Sequence, residues 1–383
     1  VVVNGRRHVP GDVLSNGVSP DTNTFPTDLI EGVDVLTGGG SSIYGSDAIA
    51  GVVNFRLKQD YEGVQVRGQT GVSQYGDADN QYISVLAGTN FAEGRGNIAV
   101  NFEYAHQADY YASGRPRLRH VDNFVVVDSD PAPGFDTTPD RVFLKDIRST
   151  TISLGGMLNL AAGNTCGVGP NGTNYNCTFL FQPDGTLIPQ TGQRVGLAPN
   201  GNFLGGNGYS GREGKLVALS PELNRYSANV LGHYEISPAF VPFFEAKYVR
   251  TEAQGSQSGP FFSQGTTLGD PAPVNREQFR LDNPYLTAQA RAVIVAARAA
   301  NGQASTDATR ISLRRNWLDF GIRDEQITRE TYRGVVGVRG DFNDDWNYEV
   351  SVNYGEHHET NKILGNVNVQ RYLLANDTVR DPV

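Results

Sequence analysis

From Glu62 onward, residues of opposite polarity alternate over runs of ten or more positions, and few folds accept that pattern at that length. In 62–74, Val64, Val66, Gly68, Thr70 and Val72 fall on one face of an extended chain, and Gln65, Arg67, Gln69 and Ser73 on the other. In 97–106, Ile98, Val100, Phe102 and Tyr104 share one face, and Asn97, Asn101 and Glu103 the other. Strands of soluble sandwiches alternate too, but usually for about five or six residues. About 9–11 residues are what a tilted strand needs to cross the apolar core of a bilayer. The pattern predicts antiparallel membrane-spanning strands with apolar side chains toward lipid and polar ones toward a wet interior. On that reading an arginine at Phe102 is damaging, and one at Asn101 is mild.

The connections sort into two kinds. Tight turns are expected at 92–96, 237–239 and 343–345; very long connections span roughly 112–224 and 253–326. Short turns at one end of the strands and long loops at the other are the pattern of outer-membrane barrels. Phe91, Phe240, Phe342 and Trp346 flank the tight turns, as an interfacial aromatic girdle requires. Alternating up and down, the strands become 62–74, 81–91, 97–110, 225–236, 240–252, 327–342 and 346–359. A strand-like run at 150–160 would break this parity alone, so it belongs inside the first long loop, paired with 178–182. Residues 284–300 read as a short alanine-rich helix in the second.

Composition removes other classes. The formal net charge of −9 argues against nucleic acid, which is bound by basic stripes. With a mean hydropathy of −0.38, no stretch reaches the roughly 18 apolar residues of a spanning helix. Gly38-Gly39-Gly40-Ser41-Ser42 lacks the Gly-Lys-Ser/Thr ending of a nucleotide loop, and no Gly-x-Ser-x-Gly elbow occurs. His357 and His358 are adjacent, so on a strand they face opposite ways and do not make a metal site. Asp344-Asp345 lies in a turn, where aspartate serves backbone hydrogen bonding. No catalytic residues, cofactor or metal are therefore expected, and the chain reads as a non-enzyme. Cys166 and Cys177 sit in a Gly/Asn-rich loop and fit a staple or, less well, half a metal site, with no histidine near. The chain opens inside a β-like run without methionine and closes on Asp381-Pro382-Val383 without a strand pattern, which reads as a fragment cut at both ends.

The first 58 residues differ from the rest. Val33 to Leu36 is a β-run entering Gly38-Gly39-Gly40; small residues follow, then a second β-run, Val52 to Leu57. Glycines there permit positive φ and close backbone approach. The stretch Tyr44-Gly45-Ser46-Asp47-Ala48-Ile49-Ala50-Gly51-Val52-Val53-Asn54 closely resembles the end of the plug domain of TonB-dependent outer-membrane transporters. The resemblance marks Gly38, Gly39, Tyr44, Gly45, Ser46, Gly51 and Asn54 as plug signature residues. It departs from the family where Thr37-Gly38-Gly39 replaces an Arg-Gly-Pro form and where Gly32 replaces an arginine, which puts a charged plug-to-wall contact in doubt.

The fold the resemblance implies is mostly β: residues 1–58 as the C-terminal part of a plug, and 59–383 as the N-terminal part of an incomplete antiparallel transmembrane barrel of about 22 strands in all. The function it implies is TonB-dependent import across the bacterial outer membrane of a large scarce solute: a ferric siderophore, cobalamin or an oligosaccharide. Its partners would be TonB, through a segment outside these residues, the solute, and outer-membrane lipid. A plug apex at about 7–24 would meet the solute, with Arg7, His8, Asn16, Asp21 and Asn23 as candidate contacts. The loop aromatics Tyr175, Phe203, Tyr209, Phe261 and Phe262 are candidates for stacking on it. Two rival readings are a passive porin or adhesin-like barrel and a soluble β-rich carbohydrate-binding protein.

Overall fold

A computed structural model describes residues 1–11, 19–128, 139–256, 262–264, 277–321, 323–343 and 345–379. The chain divides into two compact units. The first holds residues 1–110, 220–255 and 325–362, and the second residues 111–219, 256–324 and 363–383.

In the first unit, Val2–Val3 (β1), Arg6–Arg7 (β2), Ile30–Thr37 (β3) and Gly51–Leu57 (β4) make a four-stranded sheet in the order β2-β1-β4-β3. Asn4 and Gly5 turn the chain with φ of 48° and 75°, values that Asn-Gly adopts readily in a two-residue hairpin. β3 and β4 run antiparallel, with Val33 opposite Phe55. Between them Gly38 and Gly45 take positive φ around a short helix, Ser41–Tyr44. Gly51 is the position where only glycine fits: its φ is 148°, and a Cβ there would lie 2.3 Å from the Leu36 carbonyl oxygen.

The rest of the unit is a seven-stranded sheet: Gly63–Gly71 (β5), Asn80–Phe91 (β6), Gly96–Gln107 (β7), Glu222–Tyr234 (β8), Val241–Ser256 (β9), Asp324–Asn343 (β10) and Trp346–Ile363 (β11). Its order, β11-β10-β9-β8-β7-β6-β5, keeps every strand beside its neighbour in sequence. β8 pairs antiparallel with β7 along its length, Tyr226 opposite Tyr104, although the long 112–221 segment separates them. The strands expected from alternation are all present, with ends shifted by a few residues. The largest shifts are at the C-terminal ends of β9 and β11, which run four residues beyond the alternating stretch.

Alternation sorts this sheet into two unlike faces. On one, Tyr104 and Tyr226 meet at 5.2 Å and Tyr248 and Tyr332 at 4.9 Å. Tyr332 meets His358 of β11 at 6.3 Å, and Tyr354 on the same strand is exposed. Toward the tight turns, Phe91 stacks on Tyr234 at 5.8 Å and Phe342 on Tyr348 at 4.9 Å. Between the rows lie exposed Val64, Val66, Phe102, Val336, Val350 and Val352. Tyr226 and Tyr234 are separated by eight residues of β8, which at about 3.3 Å per residue and a tilt of about 45° places the rows about 20 Å apart. Outer-membrane barrels carry an apolar band about 25 Å tall between aromatic girdles.

The other face is polar and covered by the N-terminal segment. Ser84, Asn97, Asn101, Glu103, Asn229 and Glu245 are all buried there. Asn101 corrects the expectation of a wet, tolerant position. It has no exposed surface, donates to Ser84 Oγ at 3.3 Å, and accepts from Asn229 Nδ2 at 3.4 Å. The N-terminal segment excludes water at that level, so an arginine would have to displace packed groups.

The second unit contains a four-stranded sheet of Gln193–Val195, Asn202–Leu204, Arg141–Arg148 and Val121–Val126. A five-stranded sheet joins Leu187–Pro189, Cys177–Phe181, Met157–Leu160, Arg314–Asn316 and Phe262–Gln264. The helix Ala288–Ala300 starts where Thr287 Oγ1 accepts from the Ala290 amide at 3.1 Å. It packs Ala290 and Ile294 against Leu158, Leu187, Leu281 and Ile311. Cys166 and Cys177 are joined in a disulfide with a Cα–Cα distance of 5.3 Å.

Candidate functional site

The chemistry-bearing part of the first unit is the seam where the N-terminal segment lies on the polar face. Three contacts hold it. The first is apolar: Leu29, which is fully buried, packs on Leu86, Ala99 and Leu231 with Leu57 and Tyr61 alongside. Beside it Asp28 accepts from Arg67 Nη1 at 3.0 Å and from Tyr82 Oη at 3.3 Å, and the Tyr82 hydroxyl lies 2.8 Å from Glu103 Oε1.

Glu245 on β9 makes the second contact. Its Oε1 accepts from Asn4 Nδ2 at 2.8 Å and Arg6 Nη1 at 3.2 Å, and its Oε2 from Arg333 Nη1 at 2.8 Å. Arg6 also pairs with Glu349, donates to Ser351 Oγ at 3.1 Å, and lies over the Phe243 ring at 4.6 Å. The charged plug-to-wall contact that Gly32 and Thr37 put in doubt is thus made by Arg6, a residue that its position in a β-hairpin did not single out. The space at Gly32 is itself taken by a guanidinium: a Cβ there would stand 2.7 Å from Arg56 Nη2. Arg56 pairs with Asp34 at 3.1 Å.

Lys247, two residues along the same strand face, centres the third contact. Its ammonium lies 3.0 Å from His8 Nε2, 3.0 Å from Thr24 Oγ1 and 4.3 Å from the Phe25 ring centre. His8 Nδ1 lies 3.0 Å from the Val9 carbonyl oxygen, which fixes the proton on Nδ1 and leaves Nε2 to accept. Burial, then the facing Lys247 charge, push the His8 pKa down to about 3. His8 is therefore a neutral acceptor in the seam. It is not an apex residue facing solute, because the hairpin turns its ring inward onto Phe25 at 4.8 Å. Val9 follows it against β11, where a Cβ on Gly355 would collide with Val9 Cγ2 at 2.0 Å.

The other sequence candidates separate. Asp21 caps the 3-10 turn Thr22–Thr24 by accepting from the Asn23 amide at 2.9 Å. Asn23 is exposed, and its carbonyl accepts from Arg225 Nη1 at 2.8 Å. Arg7 is exposed and paired with Asp47. Asn16 lies outside the described residues. Of the signature residues, Asn54 ties the small sheet together: its Oδ1 accepts from the Gly5 amide at 2.9 Å and its Nδ2 reaches Asp34 at 3.3 Å. Ser46 bonds its neighbour Asp47 at 3.4 Å. Tyr44 closes the Ser41–Tyr44 helix, and Gly39 leads into it.

The loop aromatics are corrected in the second unit. Tyr175, Phe203 and Tyr209 are buried. Tyr175 and Phe203 sandwich the Arg194 guanidinium at 4.6 and 4.5 Å, so their faces are already occupied. Phe261 and the side chain of Phe262 lie outside the described residues. Among the described residues no group of three or more His, Cys, Asp or Glu side chains is placed to hold a metal, and no helix is long and apolar enough to cross a membrane.

A small sheet with glycine-rich turns is docked on the polar face of a long-stranded sheet, and comparison with known proteins bears on the first 52 residues of the chain. Residues 1–52 match the family model described as the TonB-dependent Receptor Plug Domain. That match covers the plug domain alone, the first 52 of the 383 residues. Among solved structures it is similar to two mutant forms of the ferric enterobactin receptor PfeA from Pseudomonas aeruginosa. Both are 12% identical; the TM-scores are 0.35 and 0.34, with 94% and 92% of this chain covered. The chain spans 37% and 36% of the length of those receptors.

Proposed function

We propose that residues 1–58 are the C-terminal part of the plug, and residues 59–383 the first part of the transmembrane barrel, of a receptor that imports a large scarce solute across the outer membrane. The segments at about 112–224 and 253–326 are its extracellular loops. TonB, engaging a segment outside these residues, supplies the force that moves the plug. The observation that carries this reading is the docking of the N-terminal segment, through Asn4, Arg6, His8 and Leu29, on the polar face of strands whose opposite face is apolar between two aromatic rows. A wall built that way separates lipid from a plugged lumen. Arg7, Asn16, Asp21 and Asn23 are the proposed solute contacts at the plug apex, and His8 leaves that set because its ring faces Lys247 and Phe25.

Ferric siderophores, cobalamin and oligosaccharides are the candidate solutes. The test is accumulation of each, radiolabelled, by cells carrying the full-length receptor, with and without TonB. Saturable uptake of one class that stops without TonB is expected. Uptake that continues undiminished without TonB would make the protein a passive porin and overturn the proposal.

A further inference from the structure

Between β4 and β5 the chain passes from the N-terminal segment to the wall, and its bonding partners change within one residue. Up to Lys58 they belong to the N-terminal segment. Leu57 pairs with Ile30, and its amide donates to Asn4 Oδ1 at 2.9 Å. The Lys58 amide donates to the Leu29 carbonyl oxygen at 2.9 Å, and Lys58 Nζ to the Asp28 carbonyl oxygen at 2.8 Å. Before them, Arg56 pairs with Asp34, and Asn54 accepts from the Gly5 amide.

From Gln59 the partners are strands of the wall. Gln59 Oε1 accepts from Arg339 Nη1 of β10 at 2.8 Å, and Asp60 Oδ1 lies 3.3 Å from His233 Nε2 of β8. The Tyr61 carbonyl accepts from Asn97 Nδ2 of β7 at 3.0 Å. It also lies on Gly88 of β6, where a Cβ would stand 2.2 Å from its oxygen. Glu62 Oε2 accepts from Asn90 Nδ2 at 2.9 Å. Residues 59–62 are thus a strap fixed to β6, β7, β8 and β10. The chain bends at Gln59 and Asp60, and a cavity of about 480 Å³ runs along Arg56 to Tyr61. Across the step itself the contacts are ring and apolar faces: Lys58 Nζ lies 5.5 Å from the Tyr61 ring centre, and Leu57 and Tyr61 flank the Leu29 patch.

On the proposed reading that the plug moves off the wall, we infer that the Lys58–Gln59 step is its hinge: residues 1–58 leave as one body, and residues 59–62 stay on the wall. Hinges are short stretches at the ends of elements that absorb a backbone rotation. A hinge placed earlier would break the β3–β4 ladder, which runs to Leu57. One placed later would strip the strap from the wall, and Asn97, 1% exposed, would lose one of its two acceptors. Of the charged groups beside the step, Lys58 stays with the plug through Asp28 and Asp60 with the wall through His233, so rotation there divides no ion pair between them. The cavity along Arg56 to Tyr61 gives the end of β4 room to turn.

The test uses the full-length receptor with nitroxides on introduced cysteines, read as pulsed electron-resonance distances. One pair, Asp60→Cys with Glu93→Cys, joins the strap to the β6–β7 turn; the other, Thr37→Cys with Glu93→Cys, joins the plug to the same turn. All three positions are exposed, and the Asp60 side chain, 73% exposed, gives up little when labelled. Urea is raised until the β4 amides exchange. The expected result is a Thr37–Glu93 distance that shifts and loses its sharp peak while the Asp60–Glu93 distance holds. A strap that left with the plug would let position 60 range over up to about 10 Å from its anchor at Gly63. Joint broadening of both pairs therefore overturns the hinge and leaves the proposed plug movement standing. A Thr37 pair that stays sharp while the β4 amides exchange overturns both, because the plug then unfolds in place; so does loss of β6 and β7 protection together with β4. Gln59→Ala, Glu62→Ala and Asn97→Ala combined remove the strap's side-chain bonds and should broaden the Asp60 pair; an unchanged pair there also overturns the assignment. If that combination fails to fold, the two label pairs decide alone.

Discussion

Removing the Glu245 carboxylate should loosen the plug without unmaking the wall. Glu245 is 7% exposed and is the only hydrogen-bond acceptor that Arg333 has among the described residues. It also binds Arg6 and Asn4 of the N-terminal segment. Glu245→Ala leaves Arg333 buried with no partner among the described residues, and Arg6 with the half-exposed Glu349, the Ser351 hydroxyl and the Asn4 carbonyl. Breaking a buried ion pair by deleting one member typically costs about 3–5 kcal/mol, most of it the uncompensated charge. The β8–β9 ladder around position 245 is made by backbone groups and persists. The penalty therefore falls on docking of the plug. At about 1.4 kcal/mol per tenfold change, amides of β1 and β4 should exchange between about a hundredfold and several thousandfold faster in the full-length receptor. Amides of β6 and β7 should keep their protection. Adding Arg333→Leu to Glu245→Ala should recover part of the loss, because the stranded charge is gone. Unchanged exchange in β1 and β4 would refute the view that this carboxylate holds the plug, and equal loss in β6 and β7 would show a general unfolding instead.

Three further outcomes are expected. Phe102, 56% exposed on the apolar face, should tolerate arginine poorly, by roughly 2–4 kcal/mol if it lies near mid-bilayer; a photoactivatable bilayer probe should label position 102 and not the fully buried 101, and equal labelling would defeat the lipid-facing assignment. His8, held neutral with a pKa of about 3, binds its proton only once the plug leaves, so docking is strongest above about pH 6.5 and weakens by up to about 1.4 kcal/mol per unit as pH falls toward 3; exchange of the plug amides should show that slope, and His8→Gln, which keeps an acceptor for Lys247, should flatten it. A cysteine at Asn200 in the full-length receptor should react with an impermeant maleimide on intact cells and one at Asp345 only after the outer membrane is breached, the reverse pattern inverting the proposed topology.

Strand pairing was legible in the sequence because it rests on a period of two, and that period survives any tertiary context. Val64 to Val72 and Ile98 to Tyr104 announce their faces, and the tight turns fix which neighbours pair. The expected pairing of 150–160 with 178–182 is met by Met157–Leu160 against Cys177–Phe181, two β-runs close in sequence. The seam was not legible. Arg6 and His8 are polar residues near a hairpin, and nothing in their spacing says whether they look out to solute or inward to a wall. That depends on contacts 239 to 241 positions away in sequence, such as Asn4 and Arg6 with Glu245 and His8 with Lys247. Tyr175 and Phe203 misled for the same reason: a loop of this length builds its own core, and its aromatics are used there. One signal was available. Glu103, Glu245, Lys247 and Arg333 are charged residues inside long alternating strands, on the face opposite the valines, where a wet lumen asks only for polarity and not for matched charge.

The seam's composition bears on how a plug can be both held and moved. An interface meant to be permanent is best made apolar, because buried ion pairs are often no more stable than hydrophobic residues of the same shape. Here the apolar part is one small patch around Leu29, and the remainder is Asp28, Arg6, His8 and Asn4 facing Arg67, Tyr82, Glu245 and Lys247. Each of these groups recovers hydrogen bonds from water when the seam opens, so its net contribution to docking is small even though the bonds themselves are many. Under the proposed import function, opening by a pulling force would meet a series of modest barriers instead of one large exposure of apolar surface. Specificity is retained, since a plug returning in any other register would bury Lys247 or Arg333 without its partners. The polar wall thus makes the docked position well defined while keeping the undocked one within reach of mechanical work.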